Sequence, residues 1–372
     1  MKYDQSRRNA IKTISLGLGG LLLAPNYLIA HKRVPVKKLG VALVGLGNYS
    51  TLQLGPALQE TELCYLAGIV TGTPEKAKTW ASTYNISSKN IYNYQNFDDI
   101  KNNPDIDIIY VVLPNFMHAE YTIRAAQAGK HVICEKPLAM NVDEGEKMIH
   151  ACKKANVKLG VGYRLYYEPH HQEARRLGIS KEFGNIKLIK SSLGFTRPAP
   201  NSWRLDKKIG GGGAIMDLGV YAIQGARRTV GEDPIAVTAQ AFNFDKEHFI
   251  DIYETVLWQF EFQSGAVASC STTYSAYEDR LYTTCERGWF ELNPAYNASG
   301  AKGRTINGDM VIKSDTYQQK AQIDDFADAI LNNKQPKASG EEGLKDIKLI
   351  EEILKAAETG KKVNIKWNET NE

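Results

Sequence analysis

A glutamate and a lysine follow a short apolar run near position 134, where their side chains could reach a ligand. Residues 131–134, His-Val-Ile-Cys, predict a buried strand that Pro137 ends. Glu135 and Lys136 are therefore expected at the carboxyl edge of a sheet, where open parallel sheets bind ligands. A lysine there can shift its pKa, polarise a hydroxyl or carbonyl group, or hold a cofactor. We expect both residues to contact a cofactor and Lys136 to act in catalysis.

A glycine fingerprint at residues 45–50 predicts a dinucleotide site. A predicted strand ends in Gly-Leu-Gly-Asn-Tyr-Ser, and a predicted helix follows. The glycines permit a tight turn and let backbone amides approach a pyrophosphate at the helix N-terminus. The position after the first strand of a βαβ unit supports this interpretation more than the glycines alone. Ser50 replaces the third glycine, and the expected cofactor contacts are Gly45, Leu46, Gly47, Asn48 and Tyr49.

The end of the second predicted strand indicates which cofactor is used. Enzymes that use NAD usually place an acid there for the ribose 2′-hydroxyl. This chain has Thr71, Gly72 and Thr73, with Lys76 one helical turn later. Hydroxyls and an ammonium suit a 2′-phosphate, so NADP(H) is favoured over NAD(H), although Glu75 is an acid close by. The alternative is a helix cap at Thr73 with a solvated Lys76, which does not explain the missing acid.

A further strand end, Leu113-Pro114-Asn115, is compatible with contact to the nicotinamide side of a cofactor. His118 follows one turn later and is included among the expected cofactor contacts. For this histidine a capping or core role is at least as common as a chemical one.

The second half of the chain offers an acid and a phenol with helical spacing. Four glycines at 210–213 lead into a predicted helix that carries Asp217 and Tyr221, four residues apart and thus on one face. Together with Lys136 they could form a proton-transfer trio, because a neighbouring ammonium lowers the pKa of a phenol. The alternative is an acid favoured by the helix dipole and a half-buried tyrosine.

A third cluster, residues 162–171, combines aromatic and basic side chains and suits recognition of a sugar, whose ring has an apolar face and many hydroxyls. We expect Tyr163 and Tyr167 to contact substrate together with Asp217 and Tyr221. Arg164, Trp203 and Arg204 are expected on the cofactor side. A metal site at His170-His171 is not expected, since no third ligand stands nearby.

The composition is that of a globular protein with about two domains. The 372 residues are 43% hydrophobic and 24% charged, with a net charge of +4. That charge is too small, and its residues too interspersed, to indicate nucleic-acid binding. Five cysteines are scattered without a metal-type pair, and each is expected to be a buried small hydrophobe.

The N-terminus predicts export. Arg7-Arg8 precede a Gly-rich apolar stretch, residues 14–30, which Pro25 interrupts and which is therefore a poor membrane span. This is typical of a twin-arginine signal, which exports folded proteins, so we expect a periplasmic protein. The alternative is a disordered or anchoring N-terminus.

Strand and helix patterns alternate up to about Gly162 and then give way to β-rich segments. They predict an α/β Rossmann domain with a doubly wound parallel sheet, followed by an α+β domain with a large, mostly antiparallel, open-faced sheet. The expected division is a signal at 1–30, a dinucleotide-binding domain at 31–162 and a substrate and oligomerisation domain at 163–372. The C-terminal helices of the last domain can pack back on the first. Residues 281–292 are expected to form one strand.

These motifs together resemble the Gfo/Idh/MocA family, the group of glucose-fructose oxidoreductase, over nearly all of the chain after residue 30. The resemblance implies a tightly held NADP(H) that is recycled without leaving, and a homo-oligomer, dimer or tetramer, formed through the open sheet. It also implies that Lys136, Asp217 and Tyr221 are catalytic, with tyrosine at 221 typical of the sugar-oxidoreductase branch. The chain departs from the family in a short arm after residue 30 and in the loop at 198–202.

Three functions follow as hypotheses. The first is a sugar oxidoreductase in which Tyr221 transfers the proton, Lys136 lowers the pKa of Tyr221, and Asp217 orients Lys136 or a sugar hydroxyl. It could work by a ping-pong sequence between two sugars. The second is a glycoside hydrolase of the same fold that retains NAD(P). The third is a cofactor-binding scaffold without catalysis.

Overall fold

The computed structural model describes residues 37–196, 202–312 and 316–367. The expected signal at 1–30 lies outside the described residues, as do residues 198–201 of the divergent loop.

The first sheet has six parallel strands in the order β3-β2-β1-β4-β5-β6. All six residues of β1 are buried, as expected for a parallel strand covered on both faces. The strand order reverses between β1 and β4, which creates the crevice where ligands of such sheets bind. The strands are β1 (Leu39–Val44), β2 (Cys64–Val70), β3 (Ile91–Tyr92), β4 (Ile108–Val111), β5 (His131–Cys134) and β6 (Leu159–Val161). The helices are α1 (Gly55–Glu60), α2 (Pro74–Tyr84), α3 (His118–Gln127) and α4 (Val142–Lys154).

The second sheet has nine strands in the order β14-β13-β12-β11-β7-β10-β9-β8-β15 and is antiparallel except between β7 and β10. Strand β9 alternates buried and more exposed residues, so one face of the sheet is covered and the other is open. The strands are β7 (Ile186–Gly194), β8 (Pro234–Phe242), β9 (Thr255–Phe262), β10 (Val267–Thr273), β11 (Glu278–Cys285), β12 (Gly288–Leu292), β13 (Gly303–Thr305), β14 (Gly308–Asp309) and β15 (Val363–Asn364). The helices are α5 (Pro169–Ser180), α6 (Lys207–Gly210) and α7 (Val220–Val230).

Two long C-terminal helices, α8 (Gln318–Leu331) and α9 (Gly340–Thr359), pack on the first sheet and its helices. Ile323 and Phe326 of α8 are buried in the same core as Val41 and Leu43 of β1. The Asp324 carboxylate accepts hydrogen bonds from backbone amides just before β2. The end of the chain therefore covers the sheet that its beginning forms.

The predicted fold class is confirmed, and several details differ from expectation. Residues 281–292 form the hairpin β11–β12, because Glu286 and Arg287 make a two-residue turn and Cys285 pairs with Gly288. The short strand β3 was not predicted. The helices expected from residues 51 and 214 begin with wide π turns, Ser50–Leu54 and Ile215–Gly219. Such turns often occur at functional sites.

All five cysteines are buried and unpaired, which confirms their expected role as small hydrophobes. Within the described residues, no cluster of three or more His, Cys, Asp or Glu could hold a metal ion. No helix in the described part of the chain is long and apolar enough to cross a membrane.

His171 should make the protein less stable in acid. It is buried, its Nε2 lies 2.8 Å from the Ala295 carbonyl oxygen, and burial lowers its pKa to about 3. As the pH falls below about 6.5, the unfolded chain binds a proton that the folded chain refuses. The free energy of unfolding should then decline by about 1.4 kcal/mol per pH unit because of this group. Urea unfolding at pH 6 and 4.5 measures this: the free energy of unfolding should fall less between the two pH values in His171→Gln than in the unmodified protein. In the control His150→Gln, which replaces an exposed histidine, it should fall as much as in the unmodified protein. An equal fall in His171→Gln and the unmodified protein would contradict the assignment.

Candidate active site

Lys136 lies at the carboxyl edge of the first sheet, directly after β5, and reaches into the second half of the chain. Its Nζ donates to the Asp217 main-chain oxygen at 2.7 Å and to Oδ1 of the same residue at 3.2 Å. Burial opposes the charge of this ammonium, but Tyr221, Asp217 and Glu135 raise the pKa of Lys136 on balance. Lys136 is therefore a fixed cation in the site and not a proton acceptor.

Asp217 is the centre of a network that joins three segments. Besides Lys136, its carboxylate accepts hydrogen bonds through Oδ2 from Arg204 Nε and from the Tyr274 hydroxyl, both at 3.0 Å. Burial alone favours the neutral acid, yet Lys136 and Arg204 hold the pKa of Asp217 below its usual range. The carboxylate thus stays charged and fixes Lys136. Tyr274 was missed because nothing near it in sequence marks it.

Tyr221 lies against two cations. Lys136 Nζ is 4.7 Å and Arg164 Cζ is 5.3 Å from the centroid of its ring. The turn Ile215–Gly219 and α7 bring Asp217 and Tyr221 to the same lysine, as their spacing suggested. Both contacts are cation–π contacts with the face of the Tyr221 ring.

Glu135 belongs to a buried network, and its Oε2 also accepts from the Lys136 main-chain amide at 3.2 Å. Its carboxylate accepts from the Tyr110 hydroxyl at 2.8 Å, and that hydroxyl accepts from Gln322 of α8 at 2.6 Å. Burial raises the pKa of Glu135, although the hydrogen bond from Tyr110 and the charge of Lys136 both lower it. A Cβ at Gly162 would come within 2.4 Å of this carboxylate, which would then have to shift. Tyr110 and Gln322 are 25 and 187 residues from Glu135 and carry no sequence signal.

The fingerprint loop has the geometry of a pyrophosphate site. Gly45 has φ +95°, and a Cβ there would lie 2.4 Å from the Val112 carbonyl oxygen, so glycine is required. Ser50 Oγ donates to the Gly45 carbonyl at 2.6 Å and stabilises the turn. A Cβ at Gly47 would meet no atom within 4 Å, and Gly47 and Asn48 are exposed. An open backbone surface therefore lies over the start of the helix, as a bound dinucleotide requires.

Lys76 lies beside this loop. Its Nζ donates to the Leu46 carbonyl oxygen at 3.1 Å, while Thr71 Oγ1 accepts from the Thr73 amide at 3.2 Å. The cation that was expected from sequence at a 2′-phosphate is thus adjacent to the fingerprint. Thr73 precedes α2 without a capping hydrogen bond from its side chain. Gly72 packs close to the ring of Tyr94.

The residues after β4 join the two halves of the protein. The buried Asn115 donates through Nδ2 to the Gly210 carbonyl oxygen at 2.8 Å. Both ring nitrogens of His118 lie within 2.9 Å of carbonyl oxygens, those of Pro137 and Leu113, and burial lowers its pKa. Its surroundings are those of a core residue that holds two strand ends together. Pro114 immediately precedes the turn that contains Asn115.

The structure directs the aromatic and basic cluster mostly away from Lys136. The Tyr163 hydroxyl is buried beside Asp346, and the Tyr167 hydroxyl donates to Asp325 at 2.9 Å. Neither hydroxyl is brought to Tyr221. Arg204 reaches Asp217, and its guanidinium stacks over the Trp203 ring at 4.4 Å.

The Arg164 guanidinium lies over the Tyr221 ring. Its N–H groups donate to the carbonyl oxygens of Tyr296 and Asn297 and to the Gln318 side chain. Tyr49 of the fingerprint loop lies close to Glu135 and Tyr221. Burial is the main cause that raises the pKa of Tyr49, and Glu135 and Tyr221 raise it further.

The arrangement places a fixed cation, a fixed carboxylate and a phenol beside an open dinucleotide loop. Models of known protein families match both halves of the chain. A model of the oxidoreductase family with an NAD-binding Rossmann fold matches residues 39–163, and a model of the GFO/IDH/MocA C-terminal domain matches residues 171–304.

Individual relatives cover most of the chain. D-xylose 1-dehydrogenase (NADP(+)) of Haloarcula marismortui is 27% identical over 336 residues, 87% of this chain and 92% of that protein. D-xylose 1-dehydrogenase (NADP(+)) 2 of Haloferax volcanii is 28% identical over 335 residues, which are 88% of this chain and 98% of that protein. The crystal structure of aldose-aldose oxidoreductase from Caulobacter crescentus complexed with glycerol is 40% identical, with a TM-score of 0.86, and covers 88% of this chain and 100% of that one. The chain belongs to the Gfo/Idh/MocA family of oxidoreductases.

Proposed function

We propose that this protein is an NADP-dependent oxidoreductase acting on CH–OH groups of sugars. The observation that carries the proposal is the contact of Lys136 with both Asp217 and the Tyr221 ring, beside the open fingerprint loop. The names of the xylose dehydrogenases and of the aldose-aldose oxidoreductase support a sugar as substrate.

The residues fit the following roles. A bound nicotinamide supplies hydride transfer at the sugar carbon. Tyr221 takes the proton from the sugar hydroxyl and returns it when a carbonyl is reduced. Lys136 stays charged and stabilises the anionic form of Tyr221. Asp217 holds Lys136 in place, and Arg204 and Tyr274 hold Asp217.

Lys76 is proposed to select NADP. It lies in the first turn of α2, after the tip of β2 at residues 71–73, which carries no acid, and its Nζ contacts Leu46 of the fingerprint loop. Lys76→Met should weaken the binding of NADP(H) about tenfold or more, because it removes one charge-assisted hydrogen bond. The affinity for NAD(H) should change less than about twofold. Fluorescence titration of both cofactors measures this. The exposed Lys78→Met, on the same helix, serves as control. Equal losses for the two cofactors would contradict the role.

We further propose that NADP(H) stays tightly bound and is recycled in place, so that one sugar is oxidised and a second reduced. Assembly through the open face of the nine-stranded sheet into a dimer or tetramer is also proposed. On that face Leu257 is 41% exposed and Ser269 and Ser271 are accessible. Export to the periplasm remains the expectation from the N-terminal sequence.

The test is a screen of aldoses against the protein as purified, following the absorbance of bound NADPH. Reduction of the bound cofactor by an aldose, and its reoxidation by a second sugar, is the expected result. Release of nitrophenol from nitrophenyl glycosides without net change in the cofactor would instead favour the hydrolase. The absence of nicotinamide absorbance and of cofactor binding would favour the scaffold.

A further inference from the structure

A cavity of about 310 Å³ lies between α5, the end of α7 and the beginning of α9. None of Lys136, Asp217 and Tyr221 lines it, so it is distinct from the candidate active site. Its volume is close to the lower limit of about 300 Å³ for small-molecule sites. A small ligand would therefore fill it.

Arg228, on the last turn of α7, is a cation without an acid in the wall of this cavity. Within the described residues its guanidinium has no ion pair and no hydrogen bond, and its printed neighbour is the ring of Tyr166, whose centroid is 3.6 Å from Cζ. Burial lowers the pKa of Arg228 to about 10, and the charge of Arg175 also lowers it. Arg228 thus keeps its charge at neutral pH in surroundings that disfavour a cation, and an anion bound there would offset this cost.

The contact with Tyr166 also orients the guanidinium. At 3.6 Å there is no room for an N–H group between Cζ and the ring, so the guanidinium lies flat on the ring. The ring of Tyr166 is stacked in turn on the ring of Tyr163, with centroids 5.8 Å apart and planes 11° apart. A guanidinium that is stacked by its face directs its N–H groups outward in its own plane, where they can bind an oxyanion through two parallel hydrogen bonds.

Arg175 of α5 supplies a second cation to the same cavity. It is exposed, and it forms no ion pair with any acid in the described ranges. Because α5 packs against α7, Arg175 and Arg228 approach the cavity from two different helices. A ligand between them would contact a guanidinium on each side.

The acids that line the cavity do not neutralise these two arginines. Asp233 and Glu342 each pair with both Arg227 and Lys345. The remaining acid, Glu232, accepts a hydrogen bond from the Ser264 main-chain amide at 3.1 Å and reaches neither guanidinium. The positive charge of Arg175 and Arg228 therefore has no partner in the protein itself.

We propose that this cavity binds a phosphate group, carried by inorganic phosphate or by a small phosphate ester. Arg228 would bind two of its oxygens, and Arg175 would bind it from the opposite helix. Phosphate fits this arrangement better than a carboxylate, because its oxygens point in several directions and it carries up to two charges. A bound phosphate would link α5 to α7, the helix that also carries Tyr221. The inference does not depend on the proposed function.

The experiment is calorimetric titration of sodium phosphate into the whole protein saturated with NADP(H), at constant ionic strength. The cofactor covers the fingerprint loop, where phosphate could otherwise bind. Arg228→Gln is expected to weaken phosphate binding about tenfold or more, as loss of a charge-assisted bidentate contact does. Arg175→Gln, which replaces an exposed residue and leaves the fold intact, should weaken it about threefold or more. The control is Arg176→Gln on the same helix, since this arginine pairs with Glu173 and Glu182, and binding should stay within about twofold.

A second titration identifies the source of the phosphate group. It compares inorganic phosphate with glucose 1-phosphate, whose anomeric carbon is blocked, and with methyl glucoside, which has no phosphate. Tighter binding of glucose 1-phosphate, lost in Arg228→Gln, would assign the site to a phosphate ester, whereas equal or weaker binding would assign it to free phosphate.

The proposal would be overturned if neither phosphate compound bound the unmodified protein, or if binding persisted in both Arg228→Gln and Arg175→Gln. An equal loss in Arg176→Gln would also overturn it, because a general effect of surface charge would then explain the result. Phosphate that binds only the cofactor-free protein would belong to the fingerprint loop and would count against the cavity. The Arg228 and Arg175 variants decide the site whether or not NADP(H) binds, so failure of the proposed function is a separate outcome.

Discussion

Replacing Tyr221 with phenylalanine should abolish turnover and leave the cofactor bound. The ring would remain beside Lys136 and Arg164, at centroid distances of 4.7 and 5.3 Å, so packing is conserved and only the hydroxyl is lost. Proton transfer by a positioned side chain contributes about 10²–10⁴-fold to a rate, and a loss of that size in kcat is expected.

The measurement combines single-turnover reduction of the bound cofactor by an aldose with the absorbance spectrum of the purified variant. Tyr317→Phe is the matched control, because its hydroxyl binds the Gln53 carbonyl oxygen, away from Lys136, and should leave kcat unchanged. Full activity in Tyr221→Phe would refute its role as the proton-transfer group. Loss of the cofactor together with the activity would point to a binding role instead.

Arg227→Met should destabilise the protein by about 3–5 kcal/mol, because it leaves the fully buried Asp346 carboxylate without its cation. Arg227 is 4% exposed and donates to the fully buried Asp346 at 2.6 Å, and it also pairs with Asp233 and Glu342. This network fixes α7, the helix that carries Tyr221, to α9.

Urea unfolding of the whole protein tests the expectation. Arg176→Met is the control: this arginine pairs with Glu173 and Glu182 on the surface and should cost less than about 1 kcal/mol. The double variant Arg227→Met with Asp346→Leu removes the unpaired charge at Asp346 and should recover part of the loss. If the double variant were as unstable as the sum of the two single variants, the charge pairing would not be the cause.

Much of the site could be predicted from local sequence. Gly45 and Gly47 follow an apolar run and precede a helix, and the structure gives Gly45 the positive φ that this turn needs. Lys136 ends a strand of a predicted parallel sheet and lies at its carboxyl edge. These predictions succeeded because a run of five or six residues sets the strand, and the strand then sets where the next side chain lies.

The predictions for Tyr163 and Tyr167 depended on composition alone and gave no direction to the side chains. Both hydroxyls are next to acids, the buried Asp346 and the partly buried Asp325, which lie more than 150 residues away in the C-terminal helices. A short aromatic and basic cluster indicates what could bind a sugar. It does not determine which of its members face the cavity, because that depends on the elements packed against it.

By itself, the sequence determined the two sheets, the dinucleotide loop and the positions of Lys136, Asp217 and Tyr221 along their elements, since periodicity and turn residues act over a few neighbours. Only the tertiary structure decided that Asp217 is shared by Lys136, Arg204 and Tyr274, and that Arg164 lies over Tyr221. Those contacts join segments that are 13 to 81 residues apart. They arise because α7 packs on β7 and β10 of the second sheet while α9 packs on both β8 and α4, and that packing brings the distant charges together.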